Sequence, residues 1–371
     1  AAPPTALALE PGDAVQLDAA AGVFEITRIE DAEARMLSLR RARAPAGLIA
    51  HGGETRSGGL DGPAPTPDVA VLDLPLLPGA GDDQRPFAAV YASPWRGPHR
   101  VYVDAAMRGE ARALAAIGRL AWPLYPGPVG RWDEGNRFQA VFPDAAFSSA
   151  TRAALLNGAN AFAVEGAGGL WEVIQARDIA LVGPRTYLFS GLLRGALGSE
   201  AAMASPAPAG ARIVRLDSAL VRLEVRAHEW GEALRLAVPP AGRAASDPAA
   251  AVVETALPRI AAKALAPAHV RAARLPGGDI AVRWVRRARL DGDGWGPGEP
   301  PLGAEAESYR VEILNAGVVV RTFTPASPAI VYSAADQVAD FGAPPSILAL
   351  RVGQIGGDGA IGFMAESVLA V

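Results

Sequence analysis

The chain has 371 residues, half of them hydrophobic, with a net charge of −4 and no cysteine. That length exceeds one ordinary domain. The missing thiols exclude disulfides, thiolate metal sites and cysteine nucleophiles, and the weak negative charge gives no electrostatic basis for nucleic-acid binding. No apolar run approaches the roughly 20 residues that span a bilayer, so no transmembrane segment is expected. Alanine supplies much of the apolar content and aromatics only 6% of the chain, so modest cores are expected. Lys263 is the only lysine; the remaining basic charge is arginine.

The N-terminal "AAPPTALALEPGD" has neither the basic segment nor the apolar core of a signal peptide, and it reads as the start of a segment cut from something longer. "DAVQLD", "VFEITRIE" and "ARMLSLRRAR" follow as short strand-like runs, giving a first β unit over residues 1–43. Residues 44–67, "APAGLIAHGGETRSGGLDGPAPTP", are Gly/Pro/Ala-rich without periodicity and read as a linker or long surface loop.

A central, mostly-β region is expected over 68–265. "VAVLDLPLL", "FAAVYASPW" and "HRVYVD" are strand candidates closed by Pro or Gly. "EARALAAIGRLAWPL" scores as helix on propensity alone, but Gly118, Pro123 and Pro126 break it. One short helix is expected, with Ser149 as N-cap, "ATRAALLN" as body and Gly158 as terminator. "NAFAVEG", "LWEVIQARDIALVG", "RTYLFSGLL" and "ARIVRLDSALVRLEVRA" return to strand patterning.

Residues 266–371 alternate most cleanly. Ile280, Val282 and Trp284 share one strand face, as do Tyr309, Val311 and Ile313, and then Leu348, Leu350 and Val352. "NAG" turns one strand into the next, and "SAADQVADFG" places Ser333, Asp336 and Gly342 as the caps of a short helix. About a hundred residues of short alternating strands with a Trp on an early strand predict a fibronectin III-like or immunoglobulin-like β-sandwich. No internal repeat shows along the sequence.

Several motifs suggest chemistry. "LDGDGWGPGEPP", residues 290–301, begins like an EF-hand loop, but positions 5 and 12 fall on Trp295 and Leu302, where calcium needs oxygen. The loop reads instead as a strand-to-strand connection, with Asp291, Asp293 and Trp295 as candidate contact residues. A glycosidase needs only two suitably spaced acids, and with 39 acidic residues nothing singles out a pair. Gly357, Gly359 and Gly362 spell G-x-G-x-x-G, yet only nine residues follow, too few for the helix and strand of a dinucleotide site, so a hairpin turn is expected. "HEWGE", residues 228–232, lacks the second histidine of a zinc motif, and four histidines in all (His51, His99, His228, His269) make a three-histidine site improbable. The residues therefore assign no catalytic group, no metal and no cofactor.

Long phrases carry a resemblance. "LEPGDAVQLD…GVFEITRIEDAEARMLSLRRA" resembles the closing strands of a phage tail hub domain. "GPVGRWDEGNRFQAVF", "LLNGANAFAVEG…LWEVIQARDIALVGPRTYLFSGLLRGALGSEAAMA" and "ARIVRLDSALVRLE" resemble the region after it. "PAHVRAARLPGGDIAVRWVRRARLDGDGWGPGEPPLGAEAESYRVEI…YSAADQVADFG" resembles the final domain. Together these are similar to the very large baseplate (megatron) protein of gene transfer agents and siphophage-like tails. The family's glycoside-hydrolase-like barrel has no counterpart in this chain, so the hydrolase label does not transfer. The resemblance implies a C-terminal portion with a structural role: a homotrimeric tail-tip hub of a virion-like particle, assembled in the bacterial cytoplasm and released. Its partners would be itself, other baseplate or distal tail proteins and a cell-envelope glycan, and it would assist DNA delivery. The tyrosine of the sandwich's tyrosine corner is absent, with Leu348 and Leu350 in its neighbourhood, which leaves the strand order open. Two other readings stay open: a carbohydrate-active surface enzyme with the sandwich as accessory module, and a monomeric adhesin-like binding protein.

Overall fold

A computed structural model describes residues 11, 14–17, 20–31, 35–41, 64–292, 299–302 and 306–371. The chain divides into two compact units, Ala1–Pro63 and Ala64–Val371. In the first, β1 (Ala14–Leu17), β2 (Ala20–Asp31) and β3 (Arg35–Arg41) form an antiparallel sheet in that order, with Ile26 buried. These are the strands expected from the alternation. Residues 44–63 of the expected linker lie outside the described residues.

The second unit begins with β4 (Asp68–Leu72), β5 (Phe87–Tyr91), β6 (His99–Val103) and β7 (Ala106–Ala111). Next come β8 (Ile117–Leu120), β9 (Trp132–Asp133), β10 (Phe138–Val141), helix α1 (Arg152–Leu156), β11 (Ala161–Glu165), β12 (Trp171–Gly183), β13 (Thr186–Leu193) and β14 (Arg212–Arg215). Then β15 (Val221–Arg222), β16 (Ala233–Val238) and β17 (Ala251–Ala256) return to pair with the first four strands. One sheet runs β15-β5-β4 and the facing one β17-β16-β6-β7, so β4 to β7 and β15 to β17 are one sandwich with β8 to β14 inserted into it.

The insertion is a closed barrel. Pairing runs β8-β14-β11-β12-β13-β10, and β10 pairs back to β8, so no edge is left open around that ring. Its interior is filled by Phe138, Phe142, Phe162, Phe189, Ile174 and Leu192 and their neighbours, with Phe138 and Phe189 stacked at 4.8 Å. Within "EARALAAIGRLAWPL" no helix forms, in keeping with the breaks at Gly118 and the prolines; Ile117–Leu120 is strand β8. Gly118 is required there, because a Cβ would meet the Phe142 ring and the Val141 carbonyl oxygen at 2.7 Å.

Period-two alternation explains how barrel and sandwich join. Val69 and Val71 of β4, with Ala88 and Val90 of β5, face the sandwich core. Ala70 and Leu72, with Phe87 and Ala89, face the opposite way, against Ile117, Ala163, Trp171, Val173 and Val214 on the outside of the barrel. Strands buried on both faces lose the polar alternation that marks a surface strand. Trp171 fixes the register of the two bodies by donating its indole N–H to the Val71 carbonyl at 2.9 Å.

The last module contains β18 (Ala268–Arg274), β19 (Ile280–Val285), β20 (Tyr309–Asn315), β21 (Val318–Phe323), β22 (Ala329–Tyr332), helix α2 (Ala334–Phe341), β23 (Ile347–Ile355) and β24 (Ile361–Ala370). Its sheets are β18-β19-β22 and β21-β20-β23-β24. Numbered within the module, the strands run first-second-fifth against fourth-third-sixth-seventh, a fibronectin III-like order. This resolves the strand order that the missing tyrosine left open. The core contains all nine residues expected from alternation, Ile280 through Val352. Ser333 caps α2 by accepting from the Asp336 N–H, and Gly342 closes it at φ 79°. The interrupted sandwich has the same strand order when the barrel is set aside. The chain thus repeats one topology twice without a sequence repeat to announce it.

One expectation is corrected. Ser149 does not cap α1; Thr151 does, accepting from the Ala154 N–H at 3.2 Å. The Ser149 hydroxyl instead accepts from the Ile179 N–H and donates to the Ile179 carbonyl, tying the loop to β12. A Ser and a Thr two residues apart are equivalent by propensity, and the tertiary hydrogen bond decides between them.

Candidate functional site: the cleft where the modules meet

Residues 286–292 leave the C-terminal sandwich after β19 at the place where that sandwich meets the rest of the unit. Three arginines lead into it. Arg287 pairs with Glu200 of the barrel and donates to the Ala266 carbonyl. Arg289 donates to the Ala261 carbonyl at 2.7 Å and reaches Asp82 at 3.3 Å. Arg286 stays within its own module, donating to the Pro300 carbonyl and pairing with Glu299 and Glu307. Across the same joint the Phe363 N–H donates to the Ala264 carbonyl, and the Lys263 ammonium stands 5.6 Å from the Phe363 ring centroid. A Cβ at Gly362 would strike Ala264, so glycine permits this approach. That glycine is the last of the G-x-G-x-x-G spelling, whose remaining residues form the β23–β24 hairpin turn.

A cleft of about 620 Å³ opens at this joint. Its walls come from Pro75–Gly81 between β4 and β5, from Leu197 and Gly198 of the barrel, from Ile260–Leu265, and from Arg286–Gly292. Asp291 is on its wall, exposed, with left-handed backbone at φ 52°. Asp293 and Trp295, the other two candidate contact residues, lie outside the described residues. A smaller cavity of about 260 Å³ shares Arg287 to Asp291 with the first and adds Asp82.

Beneath the joint, Asp73 accepts from the Ile260 N–H at 3.0 Å through one oxygen, while the other is buried without a hydrogen-bond partner. Burial pushes its carboxyl up to about 6, against the backbone N–H groups of Ile260 and Arg259 and the charge of Lys263, which pull it down.

A second polar cluster sits in the barrel and was not legible as a site. Arg194 donates to both carboxylate oxygens of Glu172 and, through Nη1, to the Tyr125 carbonyl at 2.7 Å; Asp133 is 3.6 Å from the same Nη1. Asp133 in turn accepts from the Gly135 and Asn136 N–H groups. The one available signal was an acid and a base each flanked by apolar residues, in "LWEVI" and "GLLRGAL". The loop it holds displays Trp122 and Tyr125 to solvent, while Leu124 between them is buried.

"HEWGE" is a brace. Glu229 accepts from the Arg226 N–H at 2.7 Å and binds Arg108 through both oxygens. Burial alone would raise its carboxyl, but those bonds outweigh it and hold it below the usual range. His99 is buried, and burial lowers its pKa. Among the described residues no three His, Asp or Glu side chains gather to hold a metal ion, and no helix is long and apolar enough to cross a membrane.

Residues 115–214 match the family model described as Rcc01698-like, C-terminal. That span coincides with the inserted barrel, from just before β8 to the third residue of β14. No curated protein matches the chain. Among solved structures, the chicken CNTN1 FN1–FN3 domains are 8% identical, with 84% of this chain and 100% of that chain covered at a TM-score of 0.20. The strand order, independent of that superposition, carries the fibronectin III-like description of the last module.

Proposed function

We propose that the chain is a non-enzymatic structural component of the baseplate or tail tip of a phage-tail-like particle of the gene transfer agent kind. It would link the tail tube to envelope-contacting parts and assist DNA delivery, acting as a homotrimer with other distal tail proteins. The observation that carries this reading is the coincidence of the family match with one physical body: the matched residues are the barrel, gripped by a sandwich sheet buried on both faces. Two fibronectin III-like sandwiches around a closed barrel, joined through a third apolar core and cross-module arginine pairs, suit load-bearing better than turnover. Asp291 stands at the joint, and Asp291, Asp293 and Trp295 are candidates for contact with a neighbouring subunit or an envelope glycan.

The test is immunogold labelling of particles released by producing cells, with an antibody to residues 267–371. Gold at the tail tip supports the reading; antigen found only free or on the cell surface overturns it. Among the described residues, Asp82 and Asp291 line one cavity together and are the pair the competing enzyme reading would use. Arg289 already holds Asp82 there. Glycan hydrolysis abolished by Asp82→Asn or Asp291→Asn would favour the enzyme.

A further inference from the structure

The cleft at the joint has a chemistry of its own. Lys263, Arg286, Arg287 and Arg289 line it, with Asp291 the one acid on its walls among the described residues. Of these four cations three are already paired, Arg286 with Glu299 and Glu307, Arg287 with Glu200 and Arg289 with Asp82, which leaves Lys263 as the one without an ion pair among the described residues. A volume of about 620 Å³ falls inside the range of about 300–1,000 Å³ typical of small-molecule sites.

The cations are not equivalent. Arg286 and Arg287 are positioned by carboxylates, and among the described residues Arg287 makes its hydrogen bonds through Nη1 alone, leaving Nε and Nη2 without a protein acceptor. Lys263 makes no ion pair with any described residue; its ammonium rests at the Phe363 ring. Asp73 feels the charge of Lys263 without reaching ion-pair distance, so the ammonium keeps its donors for an incoming oxyanion, with guanidinium groups on the walls of the same cleft.

The backbone of the cleft supports the same conclusion. Leu197 and Asp291 both hold left-handed φ, at 59° and 52°, on its walls. For leucine that conformation is strained, and such strain persists where the surroundings enforce it, frequently at ligand sites. Gly79 and Gly81 on the facing wall have open space where a Cβ would project, so a ligand can approach the main chain there.

We infer that this cleft binds an oxyanion-bearing ligand, a phosphate or carboxylate group, with Lys263 as its principal anchor and Arg287, which lines the same cleft, as a second donor. Because its walls come from the sandwich, the barrel and the C-terminal module, a bound anion ties the modules together and stabilises their joint. This inference holds whether or not the chain is a tail-tip protein.

The test is calorimetric titration of the full chain with inorganic pyrophosphate and, separately, with a phosphorylated disaccharide. Saturable binding at one per chain is expected, weakened about ten-fold or more by Lys263→Gln, as loss of one charge-assisted contact predicts. Lys263→Arg should retain binding, and Arg243→Gln, an exposed arginine between β16 and β17, should leave it unchanged. Binding of both probes assigns the site to the free anion; binding of the sugar phosphate alone assigns it to a phosphorylated glycan. A measurement on the unaltered chain stands beside the variants. Since Lys263 is the only lysine, amine acetylation followed by mass spectrometry reads its accessibility directly, and pyrophosphate should slow it. No saturable binding of either probe, or equal affinity in Lys263→Gln with unprotected acetylation, overturns the inference.

Discussion

Arg194 and Glu172 face each other through two parallel hydrogen bonds of 2.8 Å, with both side chains almost fully withdrawn from solvent. Such a pair gains little over a well-packed apolar pair, because desolvation of both charges offsets their attraction. Removing one partner is different, since it strands the other charge. Arg194→Met or Glu172→Leu alone is expected to cost about 3–5 kcal/mol, and the double substitution far less than the sum. Urea denaturation of the four chains of this cycle measures the coupling. Additive effects would mean that the two charges act independently.

The same cluster sets a demand on Gly127. A Cβ there would overlap Asp133 Oδ2 and approach the Arg194 guanidinium, neither of which has room to retreat. Gly127→Ala should destabilise the barrel by about 1–3 kcal/mol, the usual range for overpacking. It should also shift the Tyr125 loop, which Arg194 holds by its carbonyl. Melting temperature reads the first effect, and hydrogen exchange across 121–131 reads the second.

The physical reason some of this was legible and some was not is locality. Ile280, Val282 and Trp284 announce their face because one side of their strand meets solvent, so alternation survives in the sequence. β4 and β5 are buried on both faces, so "VAVL" and "FAAV" carry no such contrast. The caps of α2 were readable because Ser333, Asp336 and Gly342 act within one turn; the cap of α1 was not, because Ile179 claims Ser149 from a distant strand. The barrel closes through β8 and β10, and the cleft gathers Leu197, Lys263 and Asp291, residues that only the folded topology brings together. Nothing local encodes either.

Arg287 and Glu200 pin the C-terminal module to the barrel, and both side chains are part-exposed, so their attraction is screened by salt. Arg287→Gln is expected to leave each module folded while loosening the joint, because the sandwich cores lie elsewhere. Limited proteolysis between residues 262 and 268 should quicken several-fold, and raising salt from low to molar concentration should do the same to the unaltered chain. An unchanged cleavage rate in both would show that the Phe363–Ala264 and Arg289–Ala261 contacts suffice without it.

Asp73 gives the joint a pH dependence whose sign follows from its surroundings. Its carboxyl is raised from 3.8 to about 6, first by burial, with the Ile260 and Arg259 N–H groups and Lys263 opposing. A carboxyl with a raised folded pKa prefers its protonated form in the folded chain. Its contribution is therefore complete below about pH 3.8 and is lost as pH rises through about 6, an effect on the order of 3 kcal/mol. Asp73→Asn keeps an acceptor for the Ile260 N–H but cannot ionise. Between pH 4 and 7 the unaltered chain should lose stability relative to this variant, and the two melting curves should run parallel above that window. Identical pH profiles would mean that water reaches Asp73 and pays the cost of its charge.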